Sequence, residues 1–395
     1  MKLSVIIVSY NVKHYVEQCL RAVFKAGADI PMEIFVIDNA SEDHTPEYIE
    51  ELFPATEYPT LHVVSNARNI GFGKANNQAV AKAKGEYILF LNPDTIITEN
   101  TLHDAIDYAD KHPRLGGLGT KMLHSNGAFA YESRRGLPTP WTSFCKMSGL
   151  CSLFPSSRTF GRYYMRYLDK EEASQMEVVS GAFFLARRSA IEETGSFDEA
   201  FFMYGEDIDL SYRLLKKGYE NHYIPSSIIH YKGESTQKSS FKYVHRFYSA
   251  MLIFFRKHYH HYSFIITLPI KIAILLGASM AMIAQYARRA KKFIIPPKDI
   301  RNYNYIYVGR NIDKVKAVAE KWCLDITFID GDEKSNPTPS LPAYNKDTAY
   351  IIFDTSNFSY KYIVEAFENS EHDPGVGTFY PDSNIIITHT DIFTL

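Results

Sequence analysis

Between residues 3 and 95 the chain repeats one pattern: a short β-branched or aromatic run, a polar turn, then an amphipathic stretch. The runs "LSVIIVS", "MEIFVIDNAS", "LHVVSN" and "EYILFLNPDT" read as strands. The stretches "VKHYVEQCLRAVFKAG", "TPEYIEELF" and "GKANNQAVAKAKG" read as helices, the second with Pro46 in its first turn and the third closed by Gly85. Such alternation predicts a parallel α/β sheet with right-handed crossovers, because a strand returns to its own sheet most readily through a helix on its face. Ligands of these sheets gather at the carboxyl ends of the strands. The polar residues fall there: Ser9, Tyr10 and Asn11; Asp38 and Asn39; Asn66; Asn92 and Asp94.

The alternating region extends to about residue 240, and two further regions follow. Residues 241–295 are first basic and aromatic ("FKYVHRFYSAMLIFFRKHYHHY"), then almost wholly apolar over 264–286, then basic again. That length approaches the roughly 20 residues of a membrane-spanning helix. Pro269 and Lys271 near its start favour interfacial or re-entrant contact over spanning, and the flanking cations suit an anionic leaflet. The other reading is a helix pair buried against the first region. After the linker "IPPK", residues 300–395 alternate strand and helix again as a small α/β domain, without a phosphate-binding glycine signature. Binding, structural support or docking of a partner are its expected roles.

The 395 residues suit two or three domains, and 46% apolar content suits globular ones. A net charge of −2 argues against a general nucleic-acid binder. Four cysteines without CxxC or metal spacing suit a reducing compartment. The opening "MKLSVIIVSYN" lacks the cleavage pattern of a signal peptide and reads as a buried first strand.

Four short stretches can carry chemistry. "NARNIGFGKANN" places Gly71 and Gly73 before a helix, with Asn69 and Lys74 beside them, which suits close approach to a phosphate or simply a strand-to-helix turn. "LFLNPDT" ends an apolar strand in Asn92 and Asp94, which suits either an oxygen ligand for Mg²⁺ or Mn²⁺ or an Asx-type turn. His230, in "SIIHYKGEST", is a packed histidine unless it lies near Asp94. "FFMYGEDIDLSYRL" crowds Glu206, Asp207 and Asp209 at the start of an amphipathic helix. The helix N-terminus favours ionised carboxylates there, as capping acids or as a general base, and Asp209 is spaced to pair with Arg213.

Taken in order, "VIIVSYN", "VIDNAS", "NARNIGFGKANN", "LFLNPD", "SGAFFLARR", "FDEAFFMYGEDIDLSYRL" and "IIHYKGEST" resemble glycosyltransferase family 2, in the rhamnosyltransferase-like branch of bacterial surface polysaccharide synthesis. The resemblance covers about residues 3–258 and leaves the C-terminal region aside. It implies a GT-A fold over residues 1–240. It implies donor contacts from Ser9, Tyr10, Asn11, Asp38, Asn69, Gly71, Lys74 and Asn92, and an acceptor floor of Ser180, Gly181 and Glu206. Asp207 matches the catalytic base, with Glu206 beside it. Asp94 and His230 match the metal site, with Asn92 standing where the family's DxD motif has its first acid. The implied reaction is inverting transfer from a nucleotide sugar, dTDP-rhamnose or a UDP-hexose, to a hydroxyl of a saccharide, lipid-pyrophosphate-linked, on the cytoplasmic face of the inner membrane. A sugar nucleotidyltransferase and a non-catalytic carbohydrate-binding scaffold stand as alternatives.

Overall fold

The computed structural model describes residues 1–231, 241–259, 303–370 and 374–395, with single positions 268, 279, 283 and 286. The apolar run 264–286, the linker "IPPK" and residues 232–240 that follow His230 therefore fall wholly or mostly outside the described residues. Among the described residues no helix is long and apolar enough to cross a membrane.

The expected strand–helix alternation is present: β1 (Leu3–Ser9), α1 (Lys13–Ala26), β2 (Met32–Asp38), α2 (Thr45–Leu52), β3 (Leu61–Ser65), α3 (Phe72–Val80) and β4 (Tyr87–Leu91). Helix α3 ends at Val80, five residues earlier than "GKANNQAVAKAKG" suggests. Gly85 does not close that helix. A Cβ there would lie 2.4 Å from the Ser4 nitrogen, so glycine lets the chain pass against β1 before entering β4. The chain continues through β5 (Thr95–Ile96), α4 (Thr101–Lys111), β6 (Leu115–Leu123), α5 (Pro140–Met147), α6 (Leu150–Leu153), β7 (Ser174–Met176), β8 (Phe183–Arg187), α7 (Arg188–Thr194), α8 (Glu206–Lys216), β9 (Glu220–His230) and α9 (Phe241–His258).

The main sheet runs β3-β2-β1-β4-β8-β6-β9-β5, with β7 also on β9. It is mixed rather than wholly parallel. Strands β3, β2, β1 and β4 are parallel, but β8 enters antiparallel beside β4, with Leu89 opposite Leu185. The long excursion between β6 and β8 lets the chain return in that direction without a crossover helix. Alternate residues of β1 serve opposite faces. Val5 and Ile7 join the core under α1, whereas Ile6 and Val8 join the core under α3, α7 and α8. A strand covered on both faces reads as a continuous apolar run, which is why "VIIV" lacks alternation.

The C-terminal residues build a second sheet, ordered β11-β10-β12-β13-β14-β15: β10 (Asn304–Val308), β11 (Asp325–Ile329), β12 (Thr348–Asp354), β13 (Gly375–Tyr380), β14 (Ile385–Thr388) and β15 (Ile392–Thr394). Helices Ile312–Trp322 and Tyr360–Glu368 cover its two faces. The second sheet is not set apart from the first. Ile351, Phe353, Ile363 and Phe367 belong to the same buried cluster as Val16, Leu20 and Val23 of α1. Polar contacts cross the join as well. Gln18 Nε2 donates to Thr378 Oγ1 at 2.7 Å, Tyr15 donates to the Thr388 carbonyl at 2.9 Å, and buried Glu17 accepts from Tyr48 and Ser383.

Helix α9 holds most of the basic–aromatic stretch. It packs Ala250, Phe254 and Phe255 against Leu137, Val178 and Phe201 of the first region. Its terminal cations face acids of that region, Lys257 reaching Asp198 at 2.6 Å and Asp209 at 2.8 Å. Residues 241–259 thus form a wall of the first region.

Candidate active site

The chain order β1, β2, β3 on one side and β4 on the other makes the β1/β4 boundary a topological switch point. A cavity of 890 Å³ opens there, at the carboxyl ends of the strands. That volume is enough for a nucleotide sugar and part of an acceptor. Parts of it come from far down the chain, including Arg135, Asp207 and the α9 residues Arg246 and Phe247.

On the donor side Ser9, Tyr10, Asn39, Asn69 and Asn92 line the cavity. Asp38 does not. It lies buried behind the wall, where its carboxylate accepts from Ser9 Oγ at 3.0 Å and from both the backbone and hydroxyl of Ser41. Asn11, at a positive φ of 56°, is also off the cavity and braces the Ser41–Glu42 turn. Lys74 points away and pairs with Glu199 at 3.4 Å. Gly71 takes φ 91°, and a Cβ there would sit 2.7 Å from the Phe202 carbonyl. That same carbonyl accepts from the Phe72 nitrogen at 2.8 Å, so the glycine lets the 69–72 loop dock onto the loop that leads into α8.

At the end of β4 the chain turns through Asn92 and Asp94 into β5, and β5 pairs antiparallel with β9 so that Thr95 lies opposite His230. This register brings His230 Nε2 to 3.3 Å from Asp94 Oδ1 and 3.3 Å from Asn92 Nδ2. Both Asp94 and His230 face the cavity. Among the described residues no cluster of three or more acidic, histidine or cysteine side chains stands ready for a metal. The donor set is one carboxylate and one imidazole on a cavity wall. That fits a divalent ion whose remaining positions come from phosphate oxygens and water.

Across the cavity, α8 begins at Glu206, after Gly205 turns the chain at φ 82°. Asp207 is held on three sides. Its Oδ2 accepts from Arg135 Nη2 and from the Gly181 nitrogen at 3.2 Å, and its Oδ1 accepts from the Ile208 nitrogen at 2.8 Å. Ser180 and Gly181 form the adjoining wall. Glu206 is buried with Oε2 free of any hydrogen bond. Burial, followed by the neighbouring Asp207 charge, pushes its carboxyl up to about 8. Asp209, the third acid of the trio, points the other way. Burial would raise it, but His258, Lys257 and Arg213 overcome this and hold it down at about 2. Its role is to fasten α9 and the 194–196 turn, through Arg213, to α8.

The crowding of acids therefore resolves into two that face the cavity and one that serves the fold. Arg135 was not among the expected site residues. The doubled arginine of "ESRRGLPTP" is its only trace in the sequence, and its twin Arg134 turns instead to the Asp169 and Leu168 carbonyls. Asn39 was expected among the polar strand ends but not as a donor contact, and the α9 residues at the cavity were not expected.

Residues 4–195 match the family described as Glycosyl transferase family 2. N-acetylglucosaminyl-diphospho-decaprenol L-rhamnosyltransferase of Mycobacterium tuberculosis is 28% identical over 281 residues, covering 64% of this chain and 83% of that protein. Rhamnosyltransferase WbbL of Escherichia coli is 27% identical over 261 residues, covering 54% of this chain and 92% of that protein. Among solved structures, a mannosyltransferase from Pyrobaculum calidifontis aligns over 75% of this chain and 76% of its own, with 18% identity and a TM-score of 0.45. The sequence matches favour a glycosyltransferase over a sugar nucleotidyltransferase. The chain is thus a rhamnosyltransferase-like glycosyltransferase, and its residues 4–195 match glycosyl transferase family 2.

Proposed function

We propose that the enzyme transfers a sugar, with inversion, from a nucleotide sugar, dTDP-rhamnose or a UDP-hexose, to a hydroxyl of a lipid-pyrophosphate-linked saccharide in cell-surface polysaccharide synthesis. The observation that carries the reading is one cavity with Asp94 and His230 on one wall and Asp207 and Glu206 on the other. The names of the two rhamnosyltransferase relatives, one of them acting on a diphospho-decaprenol-linked sugar, favour rhamnose and a lipid-linked acceptor.

In this reading Ser9, Tyr10, Asn39 and Asn69 seat the nucleotide half of the donor. Asp94 and His230 hold Mg²⁺ or Mn²⁺, which when bound stabilises negative charge on the departing diphosphate. Asp207, oriented by Arg135 and the Gly181 nitrogen, takes the proton from the acceptor hydroxyl. That oxygen then attacks the anomeric carbon from the face opposite the leaving group. Glu206, carrying its proton at neutral pH, donates a hydrogen bond that orients the acceptor. The residues 303–395 act as structural support for α1, and the chain works at the cytoplasmic face of the inner membrane.

A panel of nucleotide sugars, assayed for acceptor-dependent release of nucleoside diphosphate with and without a chelator, tests this reading. Asp207→Asn is expected to lower transfer at least 100-fold while donor binding stays within about threefold. Transfer by that variant near the wild-type rate overturns the assignment of the base.

A further inference from the structure

One surface feature stands outside the catalytic assignment. Helix α5 faces inward through Thr142, Ser143 and Cys145 and outward through apolar residues, the reverse of an ordinary surface helix. Trp141, Phe144, Met147, Leu153 and Phe154 are between 48% and 71% exposed. Three of them form one patch with Phe160, because Trp141 meets Phe144 at 5.8 Å and Phe160 at 6.0 Å, and Phe160 meets Phe154 at 5.5 Å. A contiguous apolar patch on a protein surface marks a contact, whereas single exposed apolar residues do not.

The charge around the patch indicates what it contacts. Residues 133–168 contain Arg134, Arg135, Lys146, Arg158, Arg162 and Arg166 and no aspartate or glutamate, in a chain whose net charge is −2. Arg134 and Arg135 turn inward, as described above. Of the others, Arg162 pairs with Glu177, Lys146 lies over the Tyr164 ring, and Arg158 and Arg166 lie exposed over the Tyr167 and Tyr131 rings, so two cations next to the aromatic segment stay free of any acid among the described residues. Tryptophan, phenylalanine and leucine projecting from a cation-rich, acid-free segment is the composition of an interfacial lipid contact. The patch is continuous with the active site, because Lys146 and Met147 also line the cavity that holds Asp207.

We propose that the α5–α6 surface rests on an anionic lipid bilayer and brings the acceptor side of the cavity to the headgroup level. This rests on the lipid-linked acceptor proposed above. A saccharide on a lipid pyrophosphate then reaches Asp207 while its hydrocarbon chain stays in the bilayer.

The test uses the full chain with Trp322→Phe, which leaves Trp141 as the single tryptophan, and vesicles of phosphatidylglycerol or phosphatidylcholine. Trp141 emission is expected to shift to the blue on phosphatidylglycerol vesicles and to be quenched by brominated acyl chains. Binding is expected to be at least tenfold weaker on phosphatidylcholine. Phe144→Glu with Phe154→Glu is expected to weaken co-sedimentation of the otherwise unaltered chain at least tenfold, with slow hydrolysis of the nucleotide sugar unchanged. Both positions are more than half exposed, so folding tolerates the change. Three results overturn the proposal: vesicle binding with Trp141 unquenched, equal binding by the double variant, or Trp141 already shielded from iodide before vesicles are added. The last would mean that the chain's own apolar segment 264–286 covers the patch. Quenching of Trp141 in an enzyme that uses only soluble acceptors would uphold the surface and overturn the lipid-linked acceptor instead.

Discussion

Replacing Arg135 with methionine removes the one cation that, among the described residues, touches Asp207, and it keeps most of the side-chain volume. Glu206 and Asp207 are then adjacent acids in a buried corner with no compensating charge. The two side chains of the pair are 15% and 12% exposed, so both are largely, though not wholly, withdrawn from water. Breaking a buried pair by removing one partner costs about 3–5 kcal/mol, and the residual contact with the cavity argues for about 3 kcal/mol. The origin of the cost can be isolated. In Arg135→Met with Asp207→Asn no unpaired charge remains, so the double variant should regain most of the loss, to within about 1 kcal/mol of Asp207→Asn alone. Arg135→Lys should lie between, since an ammonium keeps the charge but ends a shorter, more strongly hydrated side chain than the guanidinium whose Nη2 serves both the Val179 carbonyl and Asp207. Urea unfolding of the variants and wild type measures the stabilities, and nucleoside diphosphate release measures turnover, which should fall with Arg135→Met because Asp207 loses its orienting partner. The reasoning fails if Arg135→Met unfolds within about 0.5 kcal/mol of wild type, or if adding Asp207→Asn brings no recovery.

Other expectations follow from the same geometry. Glu206 has a folded-state pKa raised to about 8, so the stability it contributes is present below the ordinary glutamate range and is lost as pH rises through 8. Turnover should decline over that alkaline range, and Glu206→Gln should abolish the decline in an initial-rate profile from about pH 6 to 9.5. Asp209 is depressed to about 2, so its contribution is present above the ordinary aspartate range and lost as pH falls towards 2. Asp209→Asn should lower stability at neutral pH by about 2 kcal/mol and flatten the acid limb, read by thermal melts between about pH 2 and 7. Asp94→Asn should raise the Mn²⁺ concentration for half-maximal rate at least tenfold, about 1.4 kcal/mol, whereas Asp209→Asn should leave it unchanged. Ile363→Ala, fully buried in the cluster that joins the two sheets, should cost about 2–5 kcal/mol and lower the melting of the whole chain in one transition. A chain ending before residue 303 should lose soluble transferase activity, and wild-type activity from it would refute the supporting role of the second sheet.

Much of this protein follows from local pattern. The strand β1 appears at the residues that the run "LSVIIVS" marks, because a segment buried on both faces needs apolar residues at every position. Strands β10, β12, β13 and β14 are legible for the same reason; β11 is a half-exposed edge strand read from its β-branched and aromatic residues, and β15 has too few residues for a periodicity. The start of α8 is legible because a glycine in the left-handed region followed by acids is a local helix-start signal. Asp94 and His230 could be named in advance from their motifs, but the 3.3 Å between them is a product of the pairing of β5 with β9, elements far apart in the chain.

What tertiary structure decided is the sorting of groups that look alike in sequence. Arg134 and Arg135 are neighbours of the same type, and only packing sends one to backbone carbonyls and the other to Asp207. Asp207 and Asp209 lie two positions apart on one helix, roughly 200° around its axis, so one faces the cavity and the other faces α9. Whether the second sheet stands alone or completes the first could not be read from its strands. Either arrangement needs the same apolar periodicity, and only the surface it meets, the outer face of α1, distinguishes them.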